Sequence, residues 1–593
     1  MSALNLKRLA WAAAGLSGLA LIFVLILPLI ASNMIGGPRI VREISERTGY
    51  RVTVGEAPEI TVWPRFRAVL HDVTLHDWAD DAVTVLKAPR IDVDLSPLAI
   101  VGGFTEFSAI NLQQPVFAIA RRDGRYYLPP STGAGRLEQA IEQTGTGDVP
   151  NQDALGRIKI IDGSIVDIAD GSEIASAVNG AAEWPMSNSP ATLNASAVWR
   201  HEPVTVTMSV AAPLALIRGG TSNLAITVQS AQTNLSFSGS VSDFAAPKFE
   251  GSLEASSPSL AGALEWLDIS IGPAANLGKI ALTGQASGNV DHLVVSQAVV
   301  TLHDMPGAGA LDFKLAGGIP NVAGTLAFDR LDLDPIFASA GEQNPVAATD
   351  LEFTNQLGVD LRLSAAEAVA FGQSMREVAA TVQVRSGFAA FDISDATVMG
   401  GTLQFGVRGE HKAPVDTAEI RISATEIDVA PLLKLLGLNA DAINAKTSFT
   451  AALNGPVSRP ATFRRTMNGT IEGDLTNGVI SNFDLTKLTG QNEDSGFFPL
   501  TAFGGTTTTL EGAEFKANLE AGVTRLQKAH VETPGARIEF DGIIPYVGRS
   551  LALTGHVFSK TTGGDNVADG RLFFIGGSWD APYVTSANSR PDE

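Results

Sequence analysis

Eight histidines and no cysteine are spread over 593 residues, so thiolate catalysis, disulfides and cysteine-bound metals are excluded. The closest histidine pair lies in His71-Asp72-Val73-Thr74-Leu75-His76-Asp77. A metal needs ligands that converge from one side. An odd separation of five along a strand puts His71 and His76 on opposite faces, so solvated surface histidines are expected. Gly272…Gly278-Lys279 has the outline of a phosphate loop. It carries one residue too many between the glycines, and Ile280 stands where a Ser or Thr would hold magnesium. Gly307-Ala308-Gly309 lacks the third glycine of a dinucleotide fingerprint, and neither a Gly-x-Ser-x-Gly elbow nor a His-Glu-x-x-His helix occurs. Pairs such as Asp123-Gly124 are turn chemistry. No catalytic, cofactor-binding or metal-binding residue is assigned. The expected protein is not an enzyme, and any transport would be passive or powered by a partner.

The chain has 42 Lys and Arg against 63 Asp and Glu, a net charge of −21. Nucleic-acid affinity rests on cationic contacts to phosphate, so an acidic chain without a basic stripe excludes that partner. The acidity instead keeps a strand-rich surface soluble and discourages pairing between exposed edges. The length exceeds one compact core, so several domains or a stacked array are expected.

The elements that must carry any function are mostly short strands of period 2. Val359, Leu361 and Leu363 alternate with Asp360, Arg362 and Ser364, and Phe405 and Val407 with Gln404, Gly406 and Arg408. Ile420 and Ile422 alternate with Arg421 and Ser423, and Ile538 and Phe540 with Glu539 and Asp541. Such strands have one wet face and one dry face. Helices are few. Pro38 opens a short amphipathic one that Gly49 stops, and Pro431–Leu438 is another. Residues 131–157 read as a linker or loop, and Asp162-Gly163 as a hairpin turn. Two weak repeats recur: a strand ending in glycine with proline five residues on, as in Gly409–Pro414 and Gly455–Pro460, and an Asp strand end meeting a proline-led turn, as in Asp332…Pro335 and Asp428…Pro431. They suggest units that bury an apolar face against neighbours.

Leu9–Ala31 is an uncharged apolar run. Its length of about 34 Å as a helix exceeds a hydrocarbon core of about 30 Å. A cleaved signal peptide is the alternative, but the run is long for one, and Leu29 spoils a small-x-small cleavage pattern before Ser32. Lys7 and Arg8 favour a cytoplasmic N-terminus, although Arg39, Arg42 and Arg47 follow on the other side. The lack of cysteine suits a periplasm or an oxidising exterior.

Both ends of the chain resemble the AsmA family of inner-membrane-anchored periplasmic proteins of Gram-negative bacteria. The first resemblance runs from the anchor through Glu46-Arg47-Thr48-Gly49-Tyr50-Arg51-Val52, Trp63-Pro64 and Val73-Thr74-Leu75-His76-Asp77 to Pro115-Val116 and Asp123-Gly124-Arg125. Tyr126-Tyr127 then departs from the family's usual Asn-Trp. The second covers Gly469–Gly490, with Asn477-Gly478-Val479-Ile480 and Phe483-Asp484-Leu485. It continues through Thr501-Ala502-Phe503-Gly504-Gly505 to Gly576-Gly577-Ser578-Trp579-Asp580-Ala581-Pro582. The middle, about 200–440, is similar only in texture.

The resemblance implies a mainly β fold: one N-terminal transmembrane helix, then an elongated, curved antiparallel sheet with a few short helices, whose concave face is an apolar groove. The expected divisions are an anchor at 1–35, an N-terminal β region at 36–130, the linker at 131–157, groove repeats at 158–440, a C-terminal β region at 441–584 and a disordered tail at 585–593. The implied function is phospholipid binding or movement between inner and outer membranes, in support of outer-membrane biogenesis and envelope integrity. A non-enzymatic assembly factor for outer-membrane proteins is the alternative. The implied location is the bacterial inner membrane, single-pass, with the bulk of the chain in the periplasm. Expected partners are phospholipid acyl chains, the inner membrane and an outer-membrane or periplasmic protein. Candidate groove-lining residues are Val359, Leu361, Phe405, Val407, Ile420, Ile422, Ile538 and Phe540. Period 2 alone equally permits these to be packed sandwich core. Phe497, Phe498 and Phe503 would cover a groove mouth, touch a membrane or form a local hydrophobic cluster.

Overall fold

The computed structural model describes residues 37–587, except 62–65, 81–82, 96–106, 123–124, 128, 130–152, 187, 245, 270–277, 316–317, 336–350, 413–414, 439–442, 458–459, 486, 488–495 and 561–565. The run Leu9–Ala31, the tip Asp123-Gly124 and most of 131–157 lie outside the described residues. Among the described residues no helix is long and apolar enough to cross a membrane. The chain is mainly β with few, short helices. It divides into two compact units, one of 1–256 with 283–293, the other of 257–282 with 294–593.

The first unit opens with helix α1 (Gly37–Thr48). Ile40 and Ile44, one turn apart, face inward and are buried. Gly49 ends the helix at φ +76°, and its N–H donates to the Ser45 carbonyl at 2.9 Å. Strands β1 (Arg51–Thr53), β2 (Glu59–Thr61), β3 (Arg67–His76), β4 (Thr84–Leu95), β5 (Phe107–Gln113), β6 (Val116–Arg122) and β7 (Arg125–Tyr127) follow. Leu70, Val73, Ile91, Val93 and Phe107 of these strands form one core with the two helix isoleucines.

Then come β8 (Asp153–Asp167), β9 (Glu173–Met186), β10 (Ala191–Trp199), β11 (Glu202–Val210), α2 (Pro213–Ile217), β12 (Thr221–Gln229), β13 (Asn234–Ser242) and β14 (Lys248–Ser257). The strands β8 to β14 pair antiparallel in succession. Strand β8 already begins at Asp153, inside the segment expected to be a linker, with Asp153 opposite Met186.

Two expectations fail here for one reason. Asp162-Gly163 is not a hairpin. Strand β8 runs straight through it, with Asp162 at φ +52° and register shifts on either side of Gly163. An aspartate in the left-handed region suits a bulge as well as a turn. The bulge lets β8 pair in parallel first with β5 and then with β6. Likewise His71 and His76 are not on opposite faces. Asp72 at φ +51° breaks the alternation of β3 without shifting its register against β4, so Leu70 and Val73 both point into the core, while His71 pairs with Arg90 on the other side. His76 shares that outer side with Thr74, which it meets at 3.0 Å. A single left-handed residue resets the alternation, and composition does not announce it.

In the second unit, helix α3 (Leu260–Trp266) is capped by the Ser259 side chain. Strands β15 (Ile280–Asn289) and β16 (His292–Leu302) have residues in both units. Next are β17 (Met305–Lys314), β18 (Asn321–Asp332), β19 (Gly358–Ala370), β20 (Gln373–Arg385), β21 (Phe388–Val398), β22 (Gly401–Glu410) and β23 (Thr417–Asp428). The expected helix at Pro431 forms as α4 (Val429–Leu435), starting two residues early, straight off Asp428 at the strand end. The rest are β24 (Ile443–Pro456), α5 (Pro460–Thr466), β25 (Asn468–Ile480), β26 (Phe498–Pro499), β27 (Thr508–Glu520), β28 (Val523–Glu532), β29 (Ala536–Ile544), β30 (Ser550–Lys560), β31 (Asn566–Ser578) and β32 (Ala581–Ala587). From β17 on, neighbours pair antiparallel, save that β18 and β19 are parallel, β25 pairs with β27, and β26 pairs with β32.

Candidate functional site: an open apolar sheet face

Directly paired residues point to the same side of a sheet, so register turns separate strand patterns into one surface. In the second unit three adjoining rows of one surface are wholly apolar. One row runs Phe313–Val322–Val359–Val384–Ala389–Gly409. The next runs Leu311–Gly324–Leu361–Val382–Phe391–Val407–Ile420–Leu453–Gly469–Leu519. A third runs Leu326–Leu363–Ala380–Ile393–Phe405–Ile422–Ala451–Ile471–Ala517–Leu526. From β17 to β28 the face crosses ten strand-to-strand spacings, about 48 Å at 4.8 Å each. None of these row positions carries a charge or a hydrogen-bonding side chain.

Six of the eight sequence candidates fall into these rows; Ile538 and Phe540 lie beyond them on β29. Phe405 pairs with Ile422, and Val407 with Ile420. Leu361 shares its row with the second pair through Val382 and Phe391. Seven of the eight candidates are partly exposed. The eighth, Ile538, is 1% exposed and belongs to a closed core with Phe503, Val557, Phe573 and Val584. Phe540 packs on the edge of that core, its ring edge-on to Phe573. The three phenylalanines noted in sequence separate: Phe503 is buried, Phe498 packs on the same core, and Phe497 is 72% exposed with its ring edge-on to Tyr583.

Sequence reasoning missed Val382, Phe391, Leu453 and Ile471, which stand in the same rows. Their alternation with Thr381, Asp392, Ala452 and Glu472 was a usable signal. It also missed the glycines. A Cβ on Gly309, Gly324, Gly469 or Gly473 of the apolar face would come within 2.5 Å of a carbonyl oxygen on the next strand. On the polar face, a Cβ at Gly512 would meet its nearest atom at 3.5 Å. The strands therefore close toward the apolar side at these positions, where only hydrogen fits. Gly469→Ala is expected to lower stability by about 1–3 kcal/mol in urea unfolding, with Gly512→Ala close to neutral. Equal effects at both positions would remove the argument.

The first unit has the same kind of face. A row runs Val93–Ile110–Ile158–Ala182–Leu193–Met208–Ile226–Phe237–Leu253. Helix α1 covers its β3–β5 end, whereas Leu193, Met208 and Ile226 are partly exposed.

The opposite faces carry the charge. Arg421 pairs with Glu419, Lys516 with Glu472 and Lys528 with Glu514, all in solvent. The hydrogen bond from Lys528 holds the Glu514 carboxyl below the usual range, and the one to Glu511 raises Lys560. Such solvated pairs contribute little stability. Tyr50 is raised by burial and then by Asp77, and its hydroxyl donates to the Pro129 carbonyl. That is a tether between segments. Among the described residues no group of three His, Asp or Glu could hold a metal ion. What the site can do is solvate an apolar chain. No family model, curated protein or solved structure matches this chain.

Proposed function

We propose that the chain is a non-enzymatic lipid-binding protein of the AsmA type, held at a bacterial inner membrane by Leu9–Ala31, with its strands in the periplasm. Its curved sheet is a groove that takes phospholipid acyl chains and lets them move toward the outer membrane. The observation that carries this is a run of adjoining rows free of polar side chains, of which the row Leu361–Val382–Phe391–Val407–Ile420–Leu453–Gly469 stays partly exposed from β19 to β25, while Ile393 and Ala451 beside it are buried. A filled core would bury Phe405 and Ile422 as fully as the C-terminal core buries Ile538. Water against such a surface is costly, and an acyl chain removes it. Burial is worth about 0.8 kcal/mol per methylene, so about 12 kcal/mol for a 16-carbon chain. A groove of that kind lowers the barrier to lipid movement without nucleotide hydrolysis.

The test is mass spectrometry of lipid extracted from the purified full chain. At least one phospholipid per chain is expected. A folded chain carrying no lipid would overturn the reading and leave a protein-assembly role as its replacement.

A further inference from the structure

The apolar face does not end at β28. Val531 pairs with Ile538, Ile538 with Val557, and Phe540 with Gly555, which in turn pairs with Phe573. Over β29–β32, however, the face is shut. Phe483, Leu485, Phe498, Leu500 and Phe503, all from the chain between β25 and β27, pack on Ile538, Val557, Phe573 and Val584.

Among its described residues this covering loop is bonded both to itself and to β27. The Phe483 N–H donates to the Thr506 carbonyl at 2.9 Å, and the Asp484 N–H to the Phe503 carbonyl at 2.7 Å. Thr508, the first residue of β27, accepts from the Leu485 N–H at 3.2 Å and donates to the Phe483 carbonyl at 2.6 Å. Its backbone pairing with the sheet is two residues long, Phe498 and Pro499 against Val584 and Tyr583. What it lays on the face is aromatic and aliphatic, the chemistry of an acyl chain. Lifting Phe498–Phe503 breaks that two-residue pairing, whereas the bond from the Gly504 N–H to the Thr501 carbonyl at 3.3 Å travels with the loop.

We infer that Phe498, Leu500 and Phe503 form a resident plug that occupies the last stretch of the lipid-binding face, and that phospholipid reaches β29–β32 by displacing it. The inference rests on the lipid reading. It makes discharge at this end a competition between the loop and an acyl chain for one surface.

The experiment uses the full chain and a phosphatidylethanolamine with a diazirine in its acyl chain, with crosslinked peptides mapped by mass spectrometry. In the wild type, label is expected on β19–β25 peptides and at least tenfold less on β29–β32 peptides. Phe498→Ser and, separately, Leu500→Ser should raise β29–β32 labelling severalfold while β19–β25 labelling holds. Circular dichroism identifies the folded variant to be counted. Equal labelling of both regions in the wild type, or unchanged labelling in the folded variants, overturns the plug. Absence of label on β19–β25 throughout overturns the lipid reading itself.

Discussion

Replacing Phe405 or Ile422 by aspartate is expected to strip bound phospholipid from the chain and leave it folded. The two side chains are direct cross-strand partners in the middle of the open face, and both are partly exposed. In the lipid-free protein a carboxylate at either position stays hydrated. The folding cost is then a strand-propensity term of about 1 kcal/mol. Once an acyl chain lies over it, the same carboxylate loses its water and gains no cation, because its neighbours Val407, Ile393 and Ala451 offer none. The penalty for an unpaired buried charge is several kcal/mol, which is about 100-fold or more in affinity. Arg421→Asp, on the other face of the same strand, should bind lipid as the wild type does. Lipid mass spectrometry with a melting curve on each variant decides it. Retention of lipid by both Phe405→Asp and Ile422→Asp would sink the conduit.

Ile538→Ala should behave in the opposite manner, costing stability heavily. Ile538 is 1% exposed beneath the loop and touches a core of large side chains, so truncation leaves a cavity. The expected loss is about 2–5 kcal/mol. Leu361→Ala, on the open face, removes methylenes that are already partly exposed and should cost less, about 1–2 kcal/mol. Hydrogen exchange of the β29–β32 peptides localises the effect: protection there should fall in Ile538→Ala and not in Leu361→Ala. If the two substitutions are equally mild, the C-terminal end is not a closed core and the contrast between covered and open stretches disappears.

Phe405, Val407, Ile420 and Ile422 were legible as a dry face from alternation alone, because side-chain direction in a strand is fixed by the backbone and repeats every second residue. The same rule gave the mainly β class, and residue chemistry argued against a metal centre or phosphate loop. The Pro38–Gly49 helix was legible too, from its two punctuating residues. Three matters were decided only in three dimensions. Left-handed Asp72 and Asp162 reset the alternation and turned an expected hairpin into a continuous strand. Strand register gathered Leu361 with Val407 and Phe405 with Ile422 into shared rows, which depends on pairings between residues far apart in sequence. Finally, whether a dry face is filled or open depends on what lies above it. Ile538 and Ile422 look alike in sequence, each apolar between polar neighbours, yet a loop from another part of the chain buries one and leaves the other partly exposed. Period 2 determines which side of a strand is apolar; only long-range packing determines what that side touches.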